Sequence, residues 1–318
     1  MKLKSFFDSN LPQKLKKVEN TLKIKIYPKY FSNKGIKSLY SNYITKLFLK
    51  EKLREYQNHI KRELLDKSNV NLLISLPKSG SMATRLMLNS YFEIYYKIGN
   101  GIPKYDSLNH KWVFALSNIF SADMHNNLDL SRSLKNYENY LSFDEFDKKK
   151  IFFSRYPLSQ MDIINLSSSK LVIIIRDPIE QITSYCSRFN LDNFEKILLK
   201  ACKNYINFCE FWSEHLKKID KKKYLIIKYD EINIDPAQTL KKILTFFSFE
   251  INEEIIKNCA EIHTKSQTIK SLNKIKLKKS RFTDVDQKEQ LMSLIKIGLK
   301  KMDKENSLID NYKKLLNI

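Results

Sequence analysis

Glycine is scarce in this chain, with five in 318 residues. That excludes a collagen-like or glycine-rich flexible repeat, and each glycine present should mark a position where the backbone needs it. Cysteine is sparse as well. The four, Cys186, Cys202, Cys209 and Cys259, form no C-x-x-C pair and lie in apolar helical patterns. This argues against a metal or disulfide framework and fits a reducing cytoplasm. No apolar run approaches the length of a membrane span, and the opening MKLKSFFDSNLPQKLKK lacks the continuous apolar stretch of a secretion signal. A soluble cytoplasmic protein is the expectation. Acidic residues are outnumbered, 35 against 57 Lys and Arg, for a net charge of +22. The lysines are dispersed among Asn and Ile, so the excess reads as composition bias, and no nucleic-acid partner is expected. The chain is 42% hydrophobic, enough to build one large domain or two small ones.

The most informative stretch is NVNLLISLPKSGS, from Asn69 to Ser81. Val70, Leu72, Leu73, Ile74 and Leu76 form a short apolar run, as in a strand buried on both faces. Pro77 stops it, and Lys78-Ser79-Gly80-Ser81 leads straight into a helical pattern at Met82. A strand turning tightly into a helix aims unsatisfied N–H groups and the positive end of the helix dipole at one point. Gly80 allows close backbone approach there, and Lys78, Ser79 and Ser81 add donors. The chemistry suits an anion, foremost a phosphate.

Three further strands are predicted at Ile151–Ser154, Lys170–Arg176 and Tyr224–Tyr229. Helical periodicity covers Met82–Lys97, Ile179–Phe189, Asn193–Lys217, Ala237–Phe247, Glu253–Thr264 and Gln287–Lys301. Buried strands alternating with helices predict an α/β fold of three layers, a mostly parallel central sheet flanked by helices. Asp177-Pro178-Ile179-Glu180 and Asp235-Pro236-Ala237-Gln238 read as helix starts, with an acidic N-cap, Pro at the first helical position, and Glu or Gln placed to cap back. Residues 1–68 are predicted as an N-terminal helical extension, with helices between Ile36 and Leu65, packed on an α/β domain of residues 69–318. The segment His110–Asp147 has no definite pattern and reads equally as an acceptor-binding segment or a surface excursion.

The second chemical stretch is LVIIIRDPIEQITSYCSRF. Arg176 closes a strand as apolar as the first, on the edge of the sheet where ligands of open α/β folds bind. In the next helix Ile179, Ile182, Cys186 and Phe189 make an apolar face, while Gln181, Ser184 and Arg188 share another. Arg176 and Ser184 could grip a second phosphate, Arg with a bidentate fork. Each taken alone reads better as a strand-end salt bridge or a solvated helix position. Beside the first stretch the phosphate reading gains.

PKSGS after a buried strand, RDPIEQITS after a later one, and YLIIKYDEINIDPAQTLKKILTFF together resemble the sulfotransferases that use 3′-phosphoadenosine 5′-phosphosulfate (PAPS), over roughly Asn69 to Phe249. The first motif is not a Walker A loop, because Lys78 precedes the glycine. The resemblance implies a P-loop NTPase-like fold and transfer of a sulfuryl group from PAPS to an acceptor hydroxyl, with two anion sites and no metal. It implies that Lys78, Ser79, Gly80, Ser81 and Met82 wrap the 5′-phosphosulfate. Lys78 would also be catalytic, stabilising charge on the bridging oxygen. Arg176 and Ser184 would bind the 3′-phosphate, and Tyr229 would lie near the adenine or else be a core tyrosine. Arg281, in Lys278-Lys279-Ser280-Arg281-Phe282, is the best match to a basic segment covering the 3′-phosphate, against a solvated basic loop.

Two departures matter. A Trp often follows the family's glycine loop, and here the chain reads Met82-Ala83-Thr84. Many members place a catalytic His in a Thr-His-x-Pro stretch, where this chain has Arg155, which cannot act as a base at neutral pH. His125 and His110 are the alternative candidates for the base, with Asp106 and Asp123 nearby. The acceptor stays open among a saccharide, a lipid, a small molecule or a peptide, and so does the oligomeric state. A nucleotide or small-molecule kinase of similar architecture, and a non-catalytic PAPS-binding protein, are the competing readings.

Overall fold

The computed structural model describes residues 70–97, 112–115, 150–154, 169–187, 189, 193–263, 285–302 and 304–317, with isolated helical positions between 51 and 62. The elements in chain order are β1 (Asn71–Ser75), α1 (Ser81–Tyr95), β2 (Val113–Ala115), β3 (Ile151–Ser154), β4 (Lys170–Ile175), α2 (Pro178–Cys186), α3 (Phe194–Leu216), β5 (Tyr224–Lys228), α4 (Tyr229–Ile234), α5 (Pro236–Phe246), α6 (Glu253–Ile262), α7 (Val285–Lys301) and α8 (Glu305–Leu316). The predicted N-terminal extension lies outside the described residues, apart from those isolated positions.

Five strands form one sheet in the order β2-β3-β1-β4-β5, and every pairing is parallel. β1 is its centre, with Leu73 opposite Phe153 of β3 and Val172 of β4. Leu72, Leu73, Ile74, Ile151, Phe153, Ile173 and Ile174 are fully buried. Such continuous apolar runs are what a parallel sheet covered on both faces requires. The helices pack in two groups, α1 with α5 and α6, and α2 with α3, α7 and α8, forming the outer layers. The predicted three-layer α/β architecture is therefore present.

Three details differ from the sequence expectation. Tyr229 does not extend β5 but opens the short helix α4. β2 arises from the segment with no definite pattern, and α8 follows the last predicted helix. Short edge strands and a polar C-terminal helix carry weak periodic signals, and long-range packing decides them.

The helix-start prediction holds in its first half. Asp177 accepts a hydrogen bond from Glu180 N, and Asp235 accepts one from Gln238 N. Glu180 does not cap back, because its carboxylate is engaged by Arg176. All four cysteines are free and buried, three inside α2 and α3 and one in α6. Burial pushes their thiols up to about 11 or 12, so they behave as core apolar groups. Among the described residues, no helix is long and apolar enough to cross a membrane.

Candidate functional site

The β1–α1 turn sits at the C-terminal end of the central strand, where open α/β sheets place ligands. Its backbone is unusual at two positions. Lys78 has φ +72° and Gly80 has φ +93°, both left-handed. For lysine this costs on the order of 1–2 kcal/mol, so surrounding contacts must hold it. Ser79, buried, closes the turn through its N–H to the Leu76 carbonyl at 3.3 Å. Gly80 is the N-cap of α1 and makes no side-chain cap bond, and the first turn of the helix has no acidic residue. Buried Ser81 and half-buried Met82 then begin the helix. The N-terminal amides and the dipole of α1 thus face the turn without an internal anion.

Two side chains from the β4–α2 crossing brace this turn. Gln181, 3% exposed, donates from Nε2 to the Pro77 carbonyl at 2.6 Å. Arg176, 8% exposed, donates from Nη1 to the Lys78 carbonyl at 2.9 Å. The carbonyl of Arg176 in turn accepts from the buried Tyr205 hydroxyl at 2.7 Å, which anchors the end of β4 to α3. Consecutive carbonyls ahead of Gly80 are therefore pinned from the second motif, and this offsets the strain at Lys78.

Arg176 also meets Glu180 and Tyr229. Its Nε and Nη2 donate to Glu180 Oε2 at 3.1 and 2.7 Å. Its guanidinium carbon lies 4.0 Å from the centroid of the Tyr229 ring, a cation–π contact. Tyr229 and Ile232 press on Gly80 as well. A Cβ at Gly80 would stand 2.8 Å from Tyr229 Cδ2 and 3.0 Å from Ile232 Cδ1. The sequence explanation of Gly80 as a point of close approach to a ligand is thus incomplete, since the neighbour that excludes a side chain is α4. Ser184 is half-buried on α2, two turns beyond the strand end.

The structure therefore brings Lys78, Ser79, Gly80, Ser81, Arg176 and Tyr229 into one neighbourhood. Arg281, His110 and His125 lie outside the described residues, as do Asp106, Asp123 and Arg155. Two described histidines have other positions. His215 Nδ1 is 2.8 Å from the Phe211 carbonyl within α3. His263 Nε2 is 2.6 Å from Ser90 Oγ, and burial pushes its pKa down to about 4. Ser90 is nine residues beyond Ser81 along α1, roughly 13 Å at helical rise, so this pair is remote from the turn. Among the described residues, no three His, Cys, Asp or Glu side chains gather as metal ligands would.

Sequence reading missed Glu180 and Gln181. The Arg176–Glu180 spacing of four was a legible ion-pair signal, overshadowed by the capping pattern in the same tetrapeptide. Gln181 shares with Ser184 a helix face apart from the apolar one, and nothing local indicates that it reaches across to Pro77.

A family model described as "Sulfotransferase domain" matches residues 68–297. No curated protein sequence matches the chain. Similar solved structures include retinol dehydratase in complex with androsterone and the inactive cofactor PAP, at 16% identity over 73% of this chain and 81% of that one, TM-score 0.42. A mouse sulfotransferase complexed with PAP is 17% identical over 66% and 70%, TM-score 0.40. A sulfotransferase from Mycobacterium avium is 11% identical over 88% of each chain, TM-score 0.43.

Proposed function

The chain belongs to the sulfotransferase-domain family, and from that premise we propose that it transfers a sulfuryl group from PAPS to an acceptor hydroxyl. The observation that carries this reading is the uncapped start of α1, reached through left-handed Lys78 and Gly80 and braced by Arg176. A helix N-terminus without an internal carboxylate suits a phosphosulfate, and an arginine at the neighbouring strand end suits a second phosphate.

In this assignment the amides of Ser79, Gly80, Ser81 and Met82 hold the 5′-phosphosulfate, and Arg176 with Ser184 holds the 3′-phosphate. As the acceptor oxygen bonds to sulfur, the bond from sulfur to the bridging oxygen breaks, and that oxygen keeps the electron pair. Lys78 stabilises the resulting negative charge, and the acceptor's proton passes to a base. His110 and His125 are the candidates for that base. Tyr229 serves the donor through Arg176, whose face it covers, and Arg281 is a further candidate contact to the 3′-phosphate. A saccharide is the acceptor class to screen first. The free, buried thiols suit a reducing compartment, and we assign the protein to the cytoplasm, as a domain of residues 69–318 with an N-terminal helical extension.

The test is to incubate the full chain with PAPS and a panel of hydroxyl acceptors in the presence of a chelator, and to measure adenosine 3′,5′-bisphosphate release. Transfer without divalent metal is expected. Turnover that instead demands ATP and Mg²⁺ would replace this reading with a kinase. Tight bisphosphate binding with no transfer to any acceptor would leave a binding protein.

A further inference from the structure

Arg176 is the joint between the two halves of the site. Its guanidinium has five N–H groups. Nε and one N–H of Nη2 go to Glu180 Oε2, and one N–H of Nη1 goes to the Lys78 carbonyl. Nη1 and Nη2 each keep a second N–H. Tyr229 covers one face at 4.0 Å, and the side chain is 8% exposed, so rotation of the group is closed off on several sides. Asp177 caps α2 through Glu180 N, while the Glu180 carboxylate faces the guanidinium of Arg176. The Glu180 side chain is 39% exposed, at the rim of the arrangement.

We propose that Glu180 is a positioning residue for the second anion. By taking the Nε–Nη2 edge of Arg176, it turns the remaining Nη1 and Nη2 hydrogens toward the 3′-phosphate of the donor. It also keeps Nη1 on the Lys78 carbonyl, so that filling one anion site supports the loop that forms the other. The inference rests on the donor-site reading above. The opposite role, a carboxylate competing with phosphate for the same fork, would leave Arg176 better disposed once Glu180 was removed. The contact pattern favours positioning, because both bonds to Glu180 fall on a single oxygen along one edge and leave an N–H on each terminal nitrogen.

The experiment is calorimetric titration of the full chain with adenosine 3′,5′-bisphosphate and with adenosine 5′-monophosphate, comparing the ratio of the two Kd values. A general structural defect weakens both ligands alike, whereas loss of orientation at Arg176 weakens the bisphosphate far more than the monophosphate. Glu180→Ala is expected to reduce the bisphosphate preference about tenfold, as for loss of a charge-assisted contact. Glu180→Gln retains an acceptor oxygen and should keep the preference within about threefold of wild type. On an Arg176→Ala background, Glu180→Ala should add nothing. An unchanged or increased preference in Glu180→Ala, or a further loss on the Arg176→Ala background, overturns the proposal while leaving the donor site standing. A wild-type protein with no preference for the bisphosphate removes the donor-site reading, and this inference with it.

Discussion

After β1 the chain enters α1 through two left-handed residues, with no side-chain cap and no acidic residue in the first turn. After β4 it enters α2 through Asp177 and Pro178, with the Asp177 carboxylate on Glu180 N and an acidic first turn. Both crossings leave buried parallel strands at neighbouring positions of one sheet. They nevertheless present opposite electrostatics. At α1 the helix amides remain available to an external anion, while at α2 Asp177 already satisfies one of them and its charge opposes a second anion at the backbone. Any anion held near α2 must therefore be held by side chains, which is the task assigned to Arg176 and Ser184. The strained crossing is also the one that needs bracing, and the relaxed crossing supplies the braces, Arg176 and Gln181.

The contrast can be broken most severely at Lys78. Lys78→Met should lower the rate of sulfuryl transfer by roughly 10²–10³, because it removes a charge aimed at the leaving oxygen. Bisphosphate affinity should fall far less, and steady-state kinetics beside calorimetry separates the two. A rate change no larger than the affinity change would demote Lys78 to binding. Next, Gly80→Ala should cost about 2–3 kcal/mol of stability in urea unfolding, from a left-handed φ and a Cβ driven into Tyr229. Tyr229→Ala in the same chain should recover part of that loss but not the backbone part.

Arg176→Ala should weaken adenosine 3′,5′-bisphosphate by about 30-fold while changing adenosine 5′-monophosphate much less. Equal losses for both would remove Arg176 from the second anion site and leave it as a brace of the loop. The smallest effect belongs to the conventional crossing. Asp177→Ala should cost about 1 kcal/mol of stability, as for an ordinary N-cap, with bisphosphate affinity little altered. A large loss of affinity in that variant would show that the two crossings are less distinct in function than in geometry.

Much of this is legible in the amino-acid sequence. Val70 to Leu76 and Lys170 to Arg176 read as doubly buried strands because their apolar runs are unbroken, and they are the centre of the sheet. Asp177 and Asp235 read as caps because Asp-Pro at a helix start has few other uses, and both form the expected bond. Other features had no local signal. Tyr229 looked like a strand residue at the end of YLIIKY, and its place between Gly80 and Arg176 depends on β5 lying two strands from β1. Gln181 looked polar and helical, and its burial against Pro77 depends on α2 crossing the end of β1.

The sequence by itself determined the α/β class, the buried parallel core, the family resemblance and the two motifs that bear charge, since these follow from residue type and spacing along a few turns of chain. Tertiary structure decided how those motifs act together. Residues 98 apart, Arg176 and Lys78, share a hydrogen bond. A glycine is required by a tyrosine 149 positions later. Such contacts are products of sheet order and helix packing, which place distant segments at one strand end, and no periodicity in the chain encodes which side chain of one segment will meet which carbonyl of another.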